Sequence, residues 1–286
     1  MSVVAEQPAP VPGRLAWSSL LACGLMMAVP FVVPIHYFPV PTFRAEFAAV
    51  ALGLAALGLF AAGGSWRETR LPLTALLPLG LALILLVQFY SRRTASPQLA
   101  VIALGYLTWS ACLVTLGASL AASFGRERMS RVLAWFVLAA GLALAVLAVA
   151  QVLGGPRSAL SAFPQRASAT LGQPNHVASG VALGLASALY LLGTGALPAL
   201  VATALGTLLL FALSLAGSRS AWLYLGIFPL LAAWLFLRRR DLASRRLLLA
   251  AAVTLPLFAG LHTALEAWLP ATLVPGERLF DAAAGV

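Results

Sequence analysis

Nine stretches of this chain run for about 20 residues each with no acidic residue or lysine at their centre: residues 15–33, 45–63, 72–90, 100–122, 132–153, 177–193, 197–216, 221–237 and 247–265. Crossing roughly 30 Å of hydrocarbon takes about 20 helical residues. Lipid offers no hydrogen bonds, so each stretch must satisfy its own backbone, which predicts helices. Composition agrees: 62% of the 286 residues are hydrophobic and 9% are charged, against about 25% charged in soluble domains. These values exclude a soluble enzyme, a disordered chain and a disulfide scaffold. The sequence predicts an all-α polytopic membrane protein: a tail over 1–14, about nine transmembrane helices over 15–265, and the start of a loop over 266–286.

The 18 basic residues, all arginine, outnumber 8 acidic ones. In a soluble protein that excess would point to nucleic acid. Here the arginines sit between apolar spans, so they point to topology and to phosphate groups at the bilayer, and no nucleic-acid partner is expected. Placing the N-terminus in the cytoplasm puts eleven arginines inside, with the densest run at Arg238-Arg239-Arg240 and Arg245-Arg246, and seven outside. The positive-inside rule favours that orientation. Cys23 and Cys112 both lie within spans, which argues against a disulfide framework. Leu20-Leu21-Ala22-Cys23 has the look of a lipoprotein box, but the apolar run continues to Val33. That is longer than the core of a cleaved signal peptide.

With this topology the outer face collects the unusual residues. The first outer loop carries His36 and leads to Arg44 and Glu46. The third carries Arg166 and Gly172-Gln173-Pro174-Asn175-His176, and the fourth is the tight break Gly217-Ser218-Arg219-Ser220. Arg219 interrupts an apolar stretch from residue 197 to 237. A guanidinium there either grips a phosphate or snorkels to lipid headgroups. Pro174 disfavours helix at Gln173, so the sixth helix is expected to start near Asn175. Its free N–H groups would suit an anion, or Asn175 is simply the N-cap. Glu46 begins a span, where a carboxylate is favourable in any case. His36 and Glu46 are either acid–base or hydrogen-bonding groups, or residues of the water interface. His36, His176 and His262 all fall near the outer side, but lack short ligand spacing, so no metal is expected. His262 is expected to be interfacial. The spans lack a central Asp, Glu or Lys, which disfavours an ion-coupled transporter.

The run Arg166-Ala-Ser-Ala-Thr-Leu-Gly172-Gln173-Pro174-Asn175-His176 resembles the signature of the bacterial protein O-oligosaccharyltransferases, the PglL-type pilin-glycosylation ligases. The loop from Pro34 through Glu46 is similar to their N-terminal motif. Ser218-Arg219 before a span resembles the Ser-Arg element of the wider O-antigen ligase and polymerase superfamily. The resemblance implies an inner-membrane enzyme of GT-C-like architecture. It would take a glycan from undecaprenyl pyrophosphate at the periplasmic face and pass it to a Ser or Thr hydroxyl of a protein such as a pilin. In the ligase branch the acceptor would be lipid A–core or a glycan repeat. By motif match, Arg166 and Arg219 would neutralise the pyrophosphate, and His36, Glu46, Gln173, Asn175 and His176 would shape the pocket. No cofactor is implied.

The sequence departs from the family at its C-terminal end. Family members carry a long periplasmic loop, holding a functional histidine and further arginines, after a span like 247–265. Here Pro275-Gly276-Glu277-Arg278-Leu279 resembles the opening of that loop, and the sequence ends at Val286. The expectation is a C-terminally incomplete ligase whose catalytic groups, not assignable here, belong to the missing loop. A membrane protein that binds polyprenyl-linked glycans without catalysis is the alternative from another class.

Overall fold

A computed structural model describes residues 12–33, 43–64, 71–91, 93, 96–154 and 167–268. Among them are nine helices long and apolar enough to cross a membrane. They are α1 (Arg14–Val32), α2 (Phe43–Ala62), α3 (Leu76–Tyr90, entered through a 3-10 turn at Leu73–Ala75), α4 (Pro97–Phe124), α5 (Arg126–Leu153), α6 (Pro174–Gly193), α7 (Ala199–Ala216), α8 (Arg219–Arg239) and α9 (Leu242–Trp268). The described residues contain no strand.

The helix limits follow local chemistry. Ser96 caps α4 by accepting from the Leu99 N–H, and Pro97 fills the first helical position, where it has no N–H to lose. Gly217 turns the chain out of α7 at φ 54° and ψ 38°, a left-handed conformation that costs glycine nothing. Asp241 starts α9 by accepting from the Ser244 N–H at 2.7 Å.

The outward faces of these helices are not hidden by protein. Leu73, Leu153 and Leu200 are each more than four-fifths exposed. Apolar side chains left open in this number belong in lipid rather than water. The molecule is a multi-pass membrane protein.

The helices form two compact units, Met1–Cys23 with Ala51–Ser130 and Gly24–Val50 with Arg131–Val286. In the first, α3 packs on α4. The buried Ser19 hydroxyl donates to the Ala56 carbonyl at 2.8 Å, and Trp17 packs edge-on to Phe124 while Arg128 lies over its face. In the second, α6 packs on α7, α8 and α9, and half of α6 is buried, so it is the axis of that unit. Leu144, Val177, Val181, Leu185, Leu209 and Leu213 are fully buried around it. Gly141 of α5 meets Gly184 of α6 so closely that a Cβ on the first would lie 2.7 Å from the Cα of the second. Small residues let two helix backbones approach in this way.

Candidate functional site

Two helix starts converge in the second unit. Gln173 is the N-cap of α6 in an extended conformation, Pro174 is its first residue, and no side chain caps it. Ser218 holds the same place before α8, again without a side-chain cap, and Arg219 is the first residue of that helix. Helix six therefore begins one residue before the position the sequence predicts. Pro174 has its φ set for a helix start and no N–H to waste. Asn175 is not the N-cap, and its side chain is released for another use.

That use is a polar relay. The Ser218 hydroxyl donates to Asn175 Oδ1 at 3.0 Å, so the contact of 2.6 Å between Ser218 and Ser220 must be donated by Ser220. Below it, the Ser179 hydroxyl donates to the Asn175 carbonyl at 3.0 Å, which leaves the Tyr224 hydroxyl as donor across 2.8 Å to Ser179. Both chains of hydrogen bonds end on acceptors of Asn175. Its amide nitrogen is the donor end of the side chain, beside two helix starts that no side chain caps and that carry positive dipole ends. Gln173, Asn175, His176 and Arg219 are exposed. The surface they make is rich in donors and suits an anion.

The chain before this site is pinned from beneath. Gln151, buried near the end of α5, accepts from the Ser168 and Ala169 N–H groups at 2.8 Å each, and its amide donates to the Ser168 hydroxyl at 3.2 Å. Thr170 donates to the Phe31 carbonyl at 2.7 Å, and the Ala167 N–H reaches the Leu215 carbonyl at 3.2 Å. Ala169 is held at φ 42°, a left-handed conformation that an alanine adopts only under constraint. These bonds fix the segment that delivers Gln173 and Asn175.

Of the residues the sequence singles out, the structure brings together Asn175 with the Ser218-Arg219 element, flanked by Gln173 and His176. Glu46 stands exposed in the first turn of α2, on a separate element. His36 and Arg166 lie outside the described residues. Gln151, Ser179, Ser220 and Tyr224 escape the sequence reasoning. Only Gln151, a lone amide in an apolar span, carries a signal that could have found it.

His262, expected at the interface, is buried in the protein. It is 7% exposed, stacked on Phe258 and edge-on to Trp222. The aromatic pair on α8 and α9 covers the ring, and Glu266 lies 3.4 Å from its Nε2. Trp222 is one turn beyond Arg219, so His262 packs behind the start of α8. No group of three or more His, Cys, Asp or Glu placed to hold a metal occurs among the described residues.

Comparison with known proteins gives one informative match. The chain is 28% identical over 213 residues to a protein of Acinetobacter baylyi named "General O-oligosaccharyltransferase", covering 73% of this chain and 37% of that protein. This chain is similar to an O-oligosaccharyltransferase. It spans little more than a third of that relative's length. No protein-family model and no solved structure matches it.

Proposed function

We propose that this chain provides the donor-binding part of a protein O-oligosaccharyltransferase acting at the periplasmic face of the bacterial inner membrane. The donor is a glycan on undecaprenyl pyrophosphate, and the acceptor is a Ser or Thr hydroxyl of a protein such as a pilin. The observation that carries this reading is the convergence of the α6 and α8 starts, where Ser218 ties Asn175 beside Arg219 and the Asn175 amide and Arg219 guanidinium bring donor groups to one place. In the reaction the acceptor oxygen bonds to the anomeric carbon, the bond from that carbon to the pyrophosphate oxygen breaks, and the hydroxyl proton passes to a base. Negative charge grows on the departing pyrophosphate. Preorganised donors aimed there lower the barrier most. Arg219 and Arg166 supply the guanidinium groups, and Asn175 supplies its amide. By the family resemblance, Gln173, His176, His36 and Glu46 would shape the same pocket.

The test uses the membrane protein with a lipid-linked glycan and an acceptor protein. Arg219→Ala should cut transfer by about a hundredfold or more while leaving expression unchanged, and Asn175→Ala should weaken it in the same direction. Undiminished transfer in Arg219→Ala overturns the assignment. The same donor-bearing surface also supports a second reading, a binder of polyprenyl-linked glycans. Photo-crosslinking to polyprenyl pyrophosphate that depends on Arg219, in a chain that transfers nothing by itself, would select it.

A further inference from the structure

The opposite end of the second unit holds a second polar-and-apolar pairing, one that the transfer reaction does not use. A crevice of about 190 Å³ opens between α6, α7 and α9, lined by Leu185, Leu189, Leu192, Leu210, Val253 and Leu257. It lies about 20 Å along α6 from Asn175. Its three threonines offer it no free hydroxyl proton. Thr203 donates to the Ala199 carbonyl, Thr207 to the Thr203 carbonyl and Thr254 to the Ala251 carbonyl. Roughly 300–1,000 Å³ is usual for a small-molecule pocket, so this smaller, apolar crevice fits a strip of hydrocarbon chain and no headgroup.

The charge that selects its occupant comes from one helical turn beyond its α9 lining. The α9 residues of the crevice are Ala250, Val253, Thr254 and Leu257. Stepping back one turn along the same stripe of the helix reaches Arg246, with Arg245 beside it, both exposed. The end of α6 packs here too, since a Cβ on Gly193 would meet Leu247 at 3.5 Å. The α7 helix starts at this end after Pro198 with no side-chain cap, so its first N–H groups add donors. The nearby acid, Asp241, is engaged with the Ser244 N–H, and Arg238 lies over Trp234.

We infer that this crevice seats one anionic phospholipid, its acyl chain between α6, α7 and α9 and its phosphate on Arg245 and Arg246. The inference stands apart from the glycan-transfer reading, and lipid retention tests it whether or not transfer occurs.

The full chain is reconstituted with phosphatidylglycerol and phosphatidylcholine of matched acyl chains, and lipid retained on the protein is read by native mass spectrometry. One phosphatidylglycerol should be retained in preference to phosphatidylcholine. The double variant Arg245→Gln, Arg246→Gln should lower that preference by about fivefold per arginine. Gly206→Leu, which fills the crevice beside Leu185, should abolish retention with both arginines intact. Thr207→Leu serves if that protein fails to fold. Equal retention of the two lipids by the wild type overturns the inference. Retention that survives a filled crevice overturns it as well, since the arginines would then attract a lipid surface without a seat. So does retention indifferent to both arginines, or displacement of phosphatidylglycerol by an equimolar polyprenyl phosphate.

Discussion

Gln151 is the residue on which the site's backbone depends. Its side-chain oxygen takes two buried N–H groups, those of Ser168 and Ala169, at 2.8 Å each. Gln151→Leu keeps the volume and removes both acceptors. Each orphaned donor costs about 1–3 kcal/mol, so the variant should lose roughly 2–5 kcal/mol, read as a lower melting temperature in detergent. Gln151→Glu keeps the acceptor oxygen and, as the neutral acid, an O–H donor for Ser168, so it should retain more stability than Gln151→Leu, most of all at low pH. At Asn175 the sequence shows an amide at a helix start and two readings of it. The fold removes the N-cap reading, since Gln173 holds that place, and it supplies a partner, Ser218, that lies 43 residues further along the chain. The Arg219 break is legible from sequence because a lone guanidinium in an apolar stretch has few explanations. The Ser218–Asn175 relay is not legible, since serines at turns are common and their partners are set by packing.

At the scale of helices, the apolar runs predict all nine elements. Some limits move outward, as α4 reaches Phe124 and α8 begins at Arg219, while others move inward, as α7 begins at Ala199. Polar caps and flanking arginines end hydropathy before they end helical geometry. Two predictions belong at this scale. Gly184→Ala puts a methyl 2.8 Å from the Gly141 Cα, a backbone atom that cannot swing aside. The helices must separate, and the variant should lose about 1–3 kcal/mol. Asp241 begins α9, and its hydrogen bonds from Ser244 hold its carboxyl below its ordinary value of 3.8. A depressed folded value means the carboxylate stabilises the fold above pH of about 4 and loses that effect as pH falls through the folded value. The melting temperature of Asp241→Ala should therefore lie below wild type at neutral pH, and the gap should close on acidification below pH of about 4. A gap constant from neutral to acid pH would mean the carboxylate charge contributes nothing to the cap.

At the scale of the molecule, the remaining question is which way the second unit faces. Its helices alternate, so the starts of α6 and α8 share one membrane surface, and the α6–α7 and α8–α9 turns share the other. The two surfaces differ chemically. The α8–α9 turn concentrates Arg238, Arg239, Arg240, Arg245 and Arg246. The opposite surface carries Arg219 alone among the described residues of α6 to α9. Retained arginines mark the cytoplasmic side, so the Asn175–Ser218 site is expected to face the periplasm, where a lipid-linked glycan would be presented. Single cysteines test this after Cys23 and Cys112 are replaced by alanine. A membrane-impermeant maleimide added to whole spheroplasts should label Gln173→Cys and spare Arg239→Cys until the membrane is opened. The reverse pattern would put the donor-rich site in the cytoplasm. The transferase reading would then lose its periplasmic donor, even with the geometry of the site unchanged.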